Sequence, residues 1–295
     1  MAEDDLAEFD AAITRLAQVQ DEIAKRVIGQ QQVVRQTIAS MLSGGHTLLV
    51  GVPGLAKTRL VETLATVFGL HSNRIQFTPD LMPADILGAE VLETGADGSR
   101  AFRFVEGPIF CQLLMADEIN RASPRTQSAL LQAMQEHHVS VAGQRRDLPR
   151  PFQVLATQNP LETEGTYPLP EAQLDRFLMQ VSVDYPDRAA EKAILLATTG
   201  VDDQSVEPVL DAEALIAMQR LVRRMPIGDA VVEAILTLVR SARPDADAPD
   251  YIREAVAWGP GPRAAQALIL AVRATALLDG RPAPMLRDVA ELALP

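Results

Sequence analysis

The 295-residue sequence has very little cysteine and no long apolar run. Its single cysteine, Cys111, excludes a disulfide within the chain, which is typical of a protein of the reducing cytoplasm. No apolar run approaches the ~20 residues that a membrane span needs. The acidic start MAEDDLAEFD lacks the basic and then apolar order of a secretory signal. These absences predict a cytoplasmic protein without a membrane span.

Positive charge is also scarce. Lys and Arg number 27 against 39 Asp and Glu, which gives a formal net charge of -12. Nucleic acid is therefore an improbable partner, because neutralising its phosphates requires clustered basic residues. The one dense basic pair, Arg145-Arg146, is interpreted as a solvated hairpin tip rather than as a DNA contact.

What the chain does contain, up to about residue 185, is an alternation of short apolar runs and amphipathic segments. Apolar residues from Leu6 to Ile23 follow helical spacing, Gly29 interrupts this pattern, and a second helix is expected to about Met41. Buried strands are predicted in GHTLLVG, in GPIFCQLLMADE and over 152–157, with a strand pair in 84–108 around GADG and a hairpin before residue 152. This order predicts a mainly parallel sheet covered by helices on both faces.

Beyond Asp187 only helices are predicted. They cover about 187–197, 211–223, 228–241, 262–278 and 286–294, with SARPDADAPD as a connection between two of them. A domain boundary is therefore expected near Tyr185-Pro186, between an α/β domain over 1–185 and a helical domain over 186–295.

The segment GVPGLAKT, residues 51–58, lies between a predicted strand and a predicted helix. Its glycines allow backbone N–H groups to face phosphate oxygens, Lys57 would reach the β and γ phosphates, and the Thr58 hydroxyl would ligate Mg²⁺. An ordinary glycine turn is the alternative, but the flanking strand and helix favour a phosphate loop. Ala56 stands where this motif usually has glycine, and is expected to be tolerated if its backbone is right-handed.

Polar side chains follow the next two predicted strands. Asp117 could hold the metal through its water shell, and Glu118 could polarise an attacking water. Two acids after a strand also begin many helices. Asn159 would emerge beside Glu118 if the two strands are neighbours, where its amide could fix the water or contact the γ phosphate. A turn-forming asparagine before Pro160 is the alternative.

In this order, several segments resemble the MoxR family of AAA+ ATPases: GVPGLAKT, QFTPDLMPADILG, FRFVEGPIF, ADEINRASPRTQSALLQAMQE, LATQNP and TYPLPEAQLDRF. The resemblance runs from about Val27 to Phe177 and continues more weakly through WGPGPRAAQAL, and alanine is common in this family at the position of Ala56. It implies an α/β P-loop NTPase core with a helix-2 insert and a hairpin before Asn159. A small all-α lid would follow, with ATP and Mg²⁺ bound between core and lid.

The same resemblance implies roles for further residues. Arg176 in LDRF falls where the family places an arginine finger, and Arg263 in GPGPRAA falls where it places the lid's sensor arginine, in contact with the γ phosphate. Arg121 and Arg125 are rival trans-acting arginines. The alternative for Arg176 is a surface ion pair, and the alternative for Arg263 is an arginine in the cap region of a lid helix. The implied nucleotide-binding residues border the adenine or form the phosphate loop: Val27, Ile28, Gly29, Gly51, Val52, Pro53, Gly54, Leu55, Ala56, Lys57 and Thr58.

The resemblance implies an ATP-driven, chaperone-like motor that remodels protein clients or inserts cofactors into them. An arginine finger from a neighbouring subunit implies a homo-oligomer, here a hexameric ring, and the family suggests a von Willebrand factor A-domain partner. Two alternatives are a nucleotide-gated scaffold that does not hydrolyse ATP and a chelatase-type motor subunit; a nucleic-acid motor is disfavoured by the charge. The chain stops at AELALP, where the family usually continues, so a shortened chain is expected.

Overall fold

The computed structural model describes residues 3–94, 99–162, 165–199, 204–245 and 248–293, so the predicted GADG turn lies outside the described residues. The strands are β1 (Thr47–Val50), β2 (Ser72–Gln76), β3 (Gly88–Thr94), β4 (Arg100–Glu106), β5 (Leu113–Asp117), β6 (His138–Val141), β7 (Gln144–Asp147), β8 (Gln153–Gln158) and β9 (Met179–Ser182). The helices are α1 (Glu3–Ala24), α2 (Gln31–Ser43), α3 (Lys57–Val67), α4 (Pro83–Leu87), α5 (Pro124–Glu136), α6 (Glu171–Leu174), α7 (Arg188–Thr198), α8 (Ala212–Arg224), α9 (Asp229–Ser241), α10 (Asp250–Ala255), α11 (Pro262–Leu278) and α12 (Leu286–Glu291).

The core of the α/β part is a five-stranded sheet in the order β2-β5-β8-β1-β9, with every neighbouring pair parallel. The three central strands are those that the apolar runs predict. The two edge strands, β2 and β9, were not predicted. Their side chains alternate between buried or half-buried and exposed positions, so neither forms a continuous apolar run.

Both predicted strand pairs are present as antiparallel hairpins, β3–β4 and β6–β7. Of the basic pair on the second hairpin, only Arg145 is a solvated side chain as predicted. Arg145 is exposed and pairs with Asp147, whereas the guanidinium of Arg146 lies 3.8 Å from the centroid of the Phe104 ring on the first hairpin. This cation–π contact joins the two hairpins.

Within the described residues the C-terminal part is helical, as predicted, with one helix more than expected. That helix, α10, begins inside SARPDADAPD, which was interpreted as a connection only. One apolar cluster runs from α1, α2 and α3 into α8, α9 and α11, so the first helices pack against the helical part as well as against the sheet. The domain boundary near Tyr185-Pro186 stays a prediction.

An ion-pair network fastens the end of the helical part to α2. Arg281 pairs with Asp279 and with Asp288, at 2.7 Å in each case, and Arg35 of α2 pairs with the same Asp279. The carboxylate of Asp288 is 1% exposed. These contacts hold α11 and α12 against the α/β part.

Candidate functional site

The phosphate loop connects the carboxyl end of β1 to the amino end of α3, as predicted. Gly51 must be glycine for packing reasons, since a Cβ there would lie 2.5 Å from the carbonyl oxygen of Val183. Ala56 differs from the expectation. Its backbone has φ 56° and ψ 23°, which is left-handed rather than right-handed, so alanine stands where glycine would relieve strain.

Lys57 begins α3 with its side chain folded over its own loop. The Nζ atom donates to the carbonyl oxygens of Gly51 and Val52. Partial burial lowers the pKa of this ammonium, and the charges of Asp117 and Glu118 oppose that shift. The cation thus lies within the electrostatic reach of both acids.

Asp117 ends β5 and is buried, with each carboxylate oxygen engaged. Its Oδ1 accepts a hydrogen bond from the Thr157 hydroxyl at 2.6 Å, and its Oδ2 lies 2.6 Å from Arg74 Nη2. The Thr157 hydroxyl also accepts from the backbone N–H of Glu118 at 2.8 Å. Thr157 was missed by the sequence analysis. Its place two residues before Asn159, in a strand expected beside β5, was the available signal.

Glu118 follows directly after β5 in a left-handed backbone conformation, with φ 57°. One oxygen, Oε2, accepts from Gln76 Nε2 at 2.7 Å and lies 3.1 Å from Arg121 Nη1. The carboxylate that was predicted to polarise water is therefore held by two neighbours of the same chain.

Asn159 lies beside this pair because β8 is the direct neighbour of β5, which is the condition that the sequence analysis set. Its side chain is buried and its Oδ1 accepts from the backbone N–H of Leu161 at 3.1 Å. The structure thus brings Lys57, Asp117, Glu118 and Asn159 together at one edge of the sheet, the edge formed by the carboxyl ends of its parallel strands.

The donor set fits Mg²⁺. The described residues hold no group of three or more His, Cys, Asp or Glu side chains that could bind a metal on their own. The Thr58 hydroxyl in the first turn of α3 and the Asp117 carboxylate are the hard oxygen donors that Mg²⁺ prefers, and such sites usually take further ligands from water and from substrate phosphates.

One of the three predicted adenine-bordering residues, Val27, shares a cavity with the phosphate loop. A small apolar cavity is lined by Val27, Gln30, Val33, Leu55, Ala56, Lys57, Leu60 and Val183. Gly29 stands next to it with φ 75°, and a Cβ there would lie 2.5 Å from the Cβ of Ala190 in α7. Of the three predicted residues, only Val27 lines this cavity.

The two remaining arginines, Arg176 and Arg263, lie at the opposite edge of the sheet, the edge formed by the amino ends of its strands. Arg176 and Arg263 line one cavity of about 910 Å³ together with His46, just before β1, and Met179, the first residue of β9. The phosphate loop follows the far end of β1, about 13 Å away for a four-residue strand. The structure therefore does not bring Arg263 to the phosphate loop of its own chain, contrary to the expectation of ATP held between core and lid.

Each arginine has partners in its own chain. Arg176 Nη1 donates to the Leu131 carbonyl at 2.9 Å and to Gln135 Oε1 at 2.6 Å, and Arg263 Nη1 lies 3.2 Å from Asp175 Oδ2. Of the rival arginines, Arg121 is paired with two carboxylates, whereas Arg125 is exposed on the first turn of α5.

A phosphate loop, a strand-end acid pair and a following helical part define a P-loop NTPase of the AAA+ type, and comparisons with known proteins agree. Residues 46–179 match the family model described as "ATPase family associated with various cellular activities (AAA)", and residues 250–295 match an AAA lid domain. Chaperone MoxR1 of Mycobacterium tuberculosis is 42% identical over 92% of this chain and 71% of its own length. Protein MoxR of Methylorubrum extorquens is 31% identical over 90% of this chain and 81% of its own.

A solved structure from Cytophaga hutchinsonii, named only provisionally as an ATPase, superposes with a TM-score of 0.86 at 35% identity, covering 97% of this chain and 87% of that one. The chain belongs to the MoxR family of AAA+ ATPases. Membership supports nucleotide binding, ATPase activity and a chaperone-like role in general. Among the described residues, no helix is long and apolar enough to cross a membrane.

Proposed function

We propose that this chain is an Mg²⁺-dependent ATP-driven motor that remodels other proteins and hydrolyses ATP at contacts between its subunits. The observation that carries this proposal is the separation of the site into two halves. Lys57, Asp117, Glu118 and Asn159 lie at one edge of the sheet, and Arg176 lies at the other. A single chain therefore presents an incomplete site and, separately, the arginine that would complete another one.

A second copy in head-to-tail arrangement supplies what the first copy lacks. Arg176, and Arg263 beside it, would approach the phosphates bound to the neighbouring subunit. Such an arginine is worth ~10³–10⁵ in rate, so an isolated subunit would bind ATP and turn it over very slowly. A heterologous contact that closes gives a ring, and the family resemblance suggests six subunits.

Within each site the residues take distinct roles. Lys57 exchanges the carbonyl oxygens of Gly51 and Val52 for phosphate oxygens, which are stronger acceptors. Thr58 and Asp117 would hold Mg²⁺, which would neutralise the developing phosphate charge. Glu118 polarises the attacking water, and the amide of Asn159 fixes that water or contacts the γ phosphate.

Clients are proposed to be proteins, by analogy with the relative named Chaperone MoxR1, and a von Willebrand factor A-domain protein is the partner that the family suggests. An exposed apolar surface on the first hairpin supports a protein-facing role. Leu92 and Phe102 are cross-strand partners with 52% and 71% of their surfaces exposed. The free and buried thiol of Cys111 fits a cytoplasmic location.

Mixing two inactive variants tests the proposal. Glu118→Gln subunits keep Arg176 and lose the water-polarising carboxylate, and Arg176→Ala subunits keep the carboxylate and lose the arginine. Each alone should release phosphate at least ~10³-fold more slowly than the native chain. A 1:1 mixture should recover about a quarter of native activity, since about a quarter of random contacts pair the two intact halves.

Arg145→Ala, which removes an exposed arginine from the second hairpin, is the matched control and should leave turnover unchanged. A mixture as inactive as its components would contradict hydrolysis at subunit contacts. Glu118→Gln should still bind ATP, so unchanged turnover in that variant would remove Glu118 from its role.

A further inference from the structure

Arg121 joins two parts of the chain that the sequence separates. It ends a single 3₁₀ turn, Ile119–Arg121, directly after Glu118. Its Nη1 lies 3.1 Å from Glu118 Oε2, and its Nε lies 3.0 Å from Glu162 Oε2. One guanidinium thus bridges the strand-end carboxylate and the segment that follows β8.

That segment, here called the connecting segment (residues 159–162 and 165–176), leads to Arg176. Its middle is fastened to the 3₁₀ turn and to α5: the backbone N–H of Tyr167 donates to the Asn120 carbonyl at 2.7 Å, and Gln127 Nε2 donates to the Tyr167 carbonyl at 3.0 Å. The side chain of Gln127 is buried. These contacts hold the segment against the 3₁₀ turn that follows Glu118 and against α5.

Its far part follows α5 to the other edge of the sheet. Gln173 Nε2 donates to Ser128 Oγ at 3.3 Å, and Arg176 Nη1 donates to the Leu131 carbonyl at 2.9 Å. The 13 residues of α5 span about 20 Å. One helix and one segment fastened to it therefore extend from the carboxylate of one site to the arginine offered to the next.

We propose that Arg121 is a positioning residue that couples neighbouring sites, because it links Glu118 to the connecting segment and thereby sets the position of Arg176. The inference rests on the proposed function and adds its regulation. Arg121 is then occupied within its own chain and is not the arginine that acts on a neighbouring subunit.

The physical reason is competition for one carboxylate oxygen. Glu118 Oε2 receives both Gln76 and Arg121, so Glu118 must loosen at least one of these contacts to act on water. When Arg121 is released from Glu118, Glu162 remains its partner. In this proposal Arg121 moves with Glu162, so a change at the carboxylate shifts the connecting segment, whose other end carries Arg176.

The experiment isolates the delivery of Arg176 from the chemistry at Glu118. The reference is a 1:1 mixture of Lys57→Ala and Arg176→Ala subunits, in which the first kind cannot hold the ATP phosphates, keeps Glu118 paired with Arg121, and contributes only its Arg176. In the test mixture the first kind also carries Arg121→Gln. We expect phosphate release by the test mixture to fall at least about fivefold below the reference, a typical allosteric coupling.

Two measurements separate coupling from damage to the fold. The affinity for ATP and the size of the mixed assembly should be the same in both mixtures. A second test mixture carries Glu162→Gln in place of Arg121→Gln and should show the same loss of phosphate release. Because Glu162→Gln removes a charge and changes little in shape, it keeps the test valid if the Arg121→Gln variant does not assemble. Arg253→Gln, which removes another arginine paired three residues back, with Asp250, is the matched control and should leave the reference activity unchanged.

Equal activity of the reference mixture and of both test mixtures would overturn the coupling role of Arg121 while leaving hydrolysis at subunit contacts intact. An inactive reference mixture would instead contradict the proposed function, and the coupling role would fall with it. The two failures are therefore distinguishable.

Discussion

Arg74 Nη2 lies 2.6 Å from Asp117 Oδ2, so a guanidinium covers one oxygen of the carboxylate that we propose for Mg²⁺. The other oxygen accepts from Thr157. A hydrated Mg²⁺ ion has to share or displace the Arg74 contact. The arginine side chain is 51% exposed, so the ion pair is weak, about 0.2–1 kcal/mol.

Arg74→Gln should therefore lower the Mg²⁺ concentration that gives half-maximal phosphate release, by about threefold, the factor that corresponds to ~0.6 kcal/mol. A Mg²⁺ titration at saturating ATP measures it. Arg103→Gln, which breaks an exposed ion pair with Glu93 on the first hairpin, should leave the titration unchanged. A higher Mg²⁺ requirement would show that Arg74 supports the carboxylate rather than competing for it.

Ala56→Gly should stabilise the chain although it removes a methyl group. An alanine residue in the left-handed conformation costs ~1–2 kcal/mol, and Ala56→Gly removes this strain. The substitution also makes the unfolded chain more flexible, which cancels ~0.5–1 kcal/mol of the stabilisation. We expect the free energy of unfolding in urea to rise by about 0.5 kcal/mol.

Two further alanines calibrate this measurement. Ala142, with φ 50° in the second hairpin, should respond in the same direction when replaced by glycine. Ala133→Gly, inside α5, should lower the free energy of unfolding by about 1 kcal/mol or more, since glycine is a poor helix former and the site is buried. A destabilised Ala56→Gly variant would show that its methyl group makes contacts worth more than the strain.

Sequence patterns identified the buried strands and the residues at their ends. The runs in β1, β5 and β8 are apolar because helices cover both faces, and the polar residues after them share an edge because parallel strands all end there. The edge strands β2 and β9 were not predicted, because about half of their side chains face water. Gln76 and Arg74 were not predicted as site residues for the same reason, since both lie on β2.

The pairing of side chains across strands could not be predicted in the same way. Which groups meet Asp117 depends on the sheet order, and only the neighbour β8 was considered. The location of Arg263 is a larger difference. The sequence predicts a helix near its position, and the resemblance implies contact with the γ phosphate. The edge of the sheet at which α11 begins depends on packing between α11 and α2, which no local pattern reports.

Asp288→Asn should destabilise the helical part strongly. The Asp288 carboxylate is 1% exposed, accepts from Arg281 at 2.7 and 2.8 Å, and accepts from the backbone N–H of Met285 at 2.7 Å. Asp288→Asn removes the buried charge and weakens these hydrogen bonds, while Arg281 keeps Asp279 as a partner, so urea unfolding should show a loss of about 2 kcal/mol.

Asp250→Asn is the matched control for this loss. Asp250 also pairs with an arginine, Arg253, but its side chain is 81% exposed, so the loss should stay below about 0.5 kcal/mol. Equal losses in the two variants would contradict the role given to burial.

His46 should make stability depend on pH, because burial lowers its pKa from 6.5 to about 4. The Val154 N–H donates to Nδ1, so the neutral ring carries its proton on Nε2 and donates it to the Met134 carbonyl. Between pH 6.5 and about 4 the unfolded chain binds a proton that the folded chain does not. The free energy of unfolding therefore decreases as the pH is lowered through this range, by about 3 kcal/mol in all. His46→Gln lacks this titration, and its stability deficit relative to the native chain should shrink by that amount between pH 7 and pH 4. A stability deficit of His46→Gln that stays constant between pH 7 and pH 4 would contradict a neutral buried imidazole.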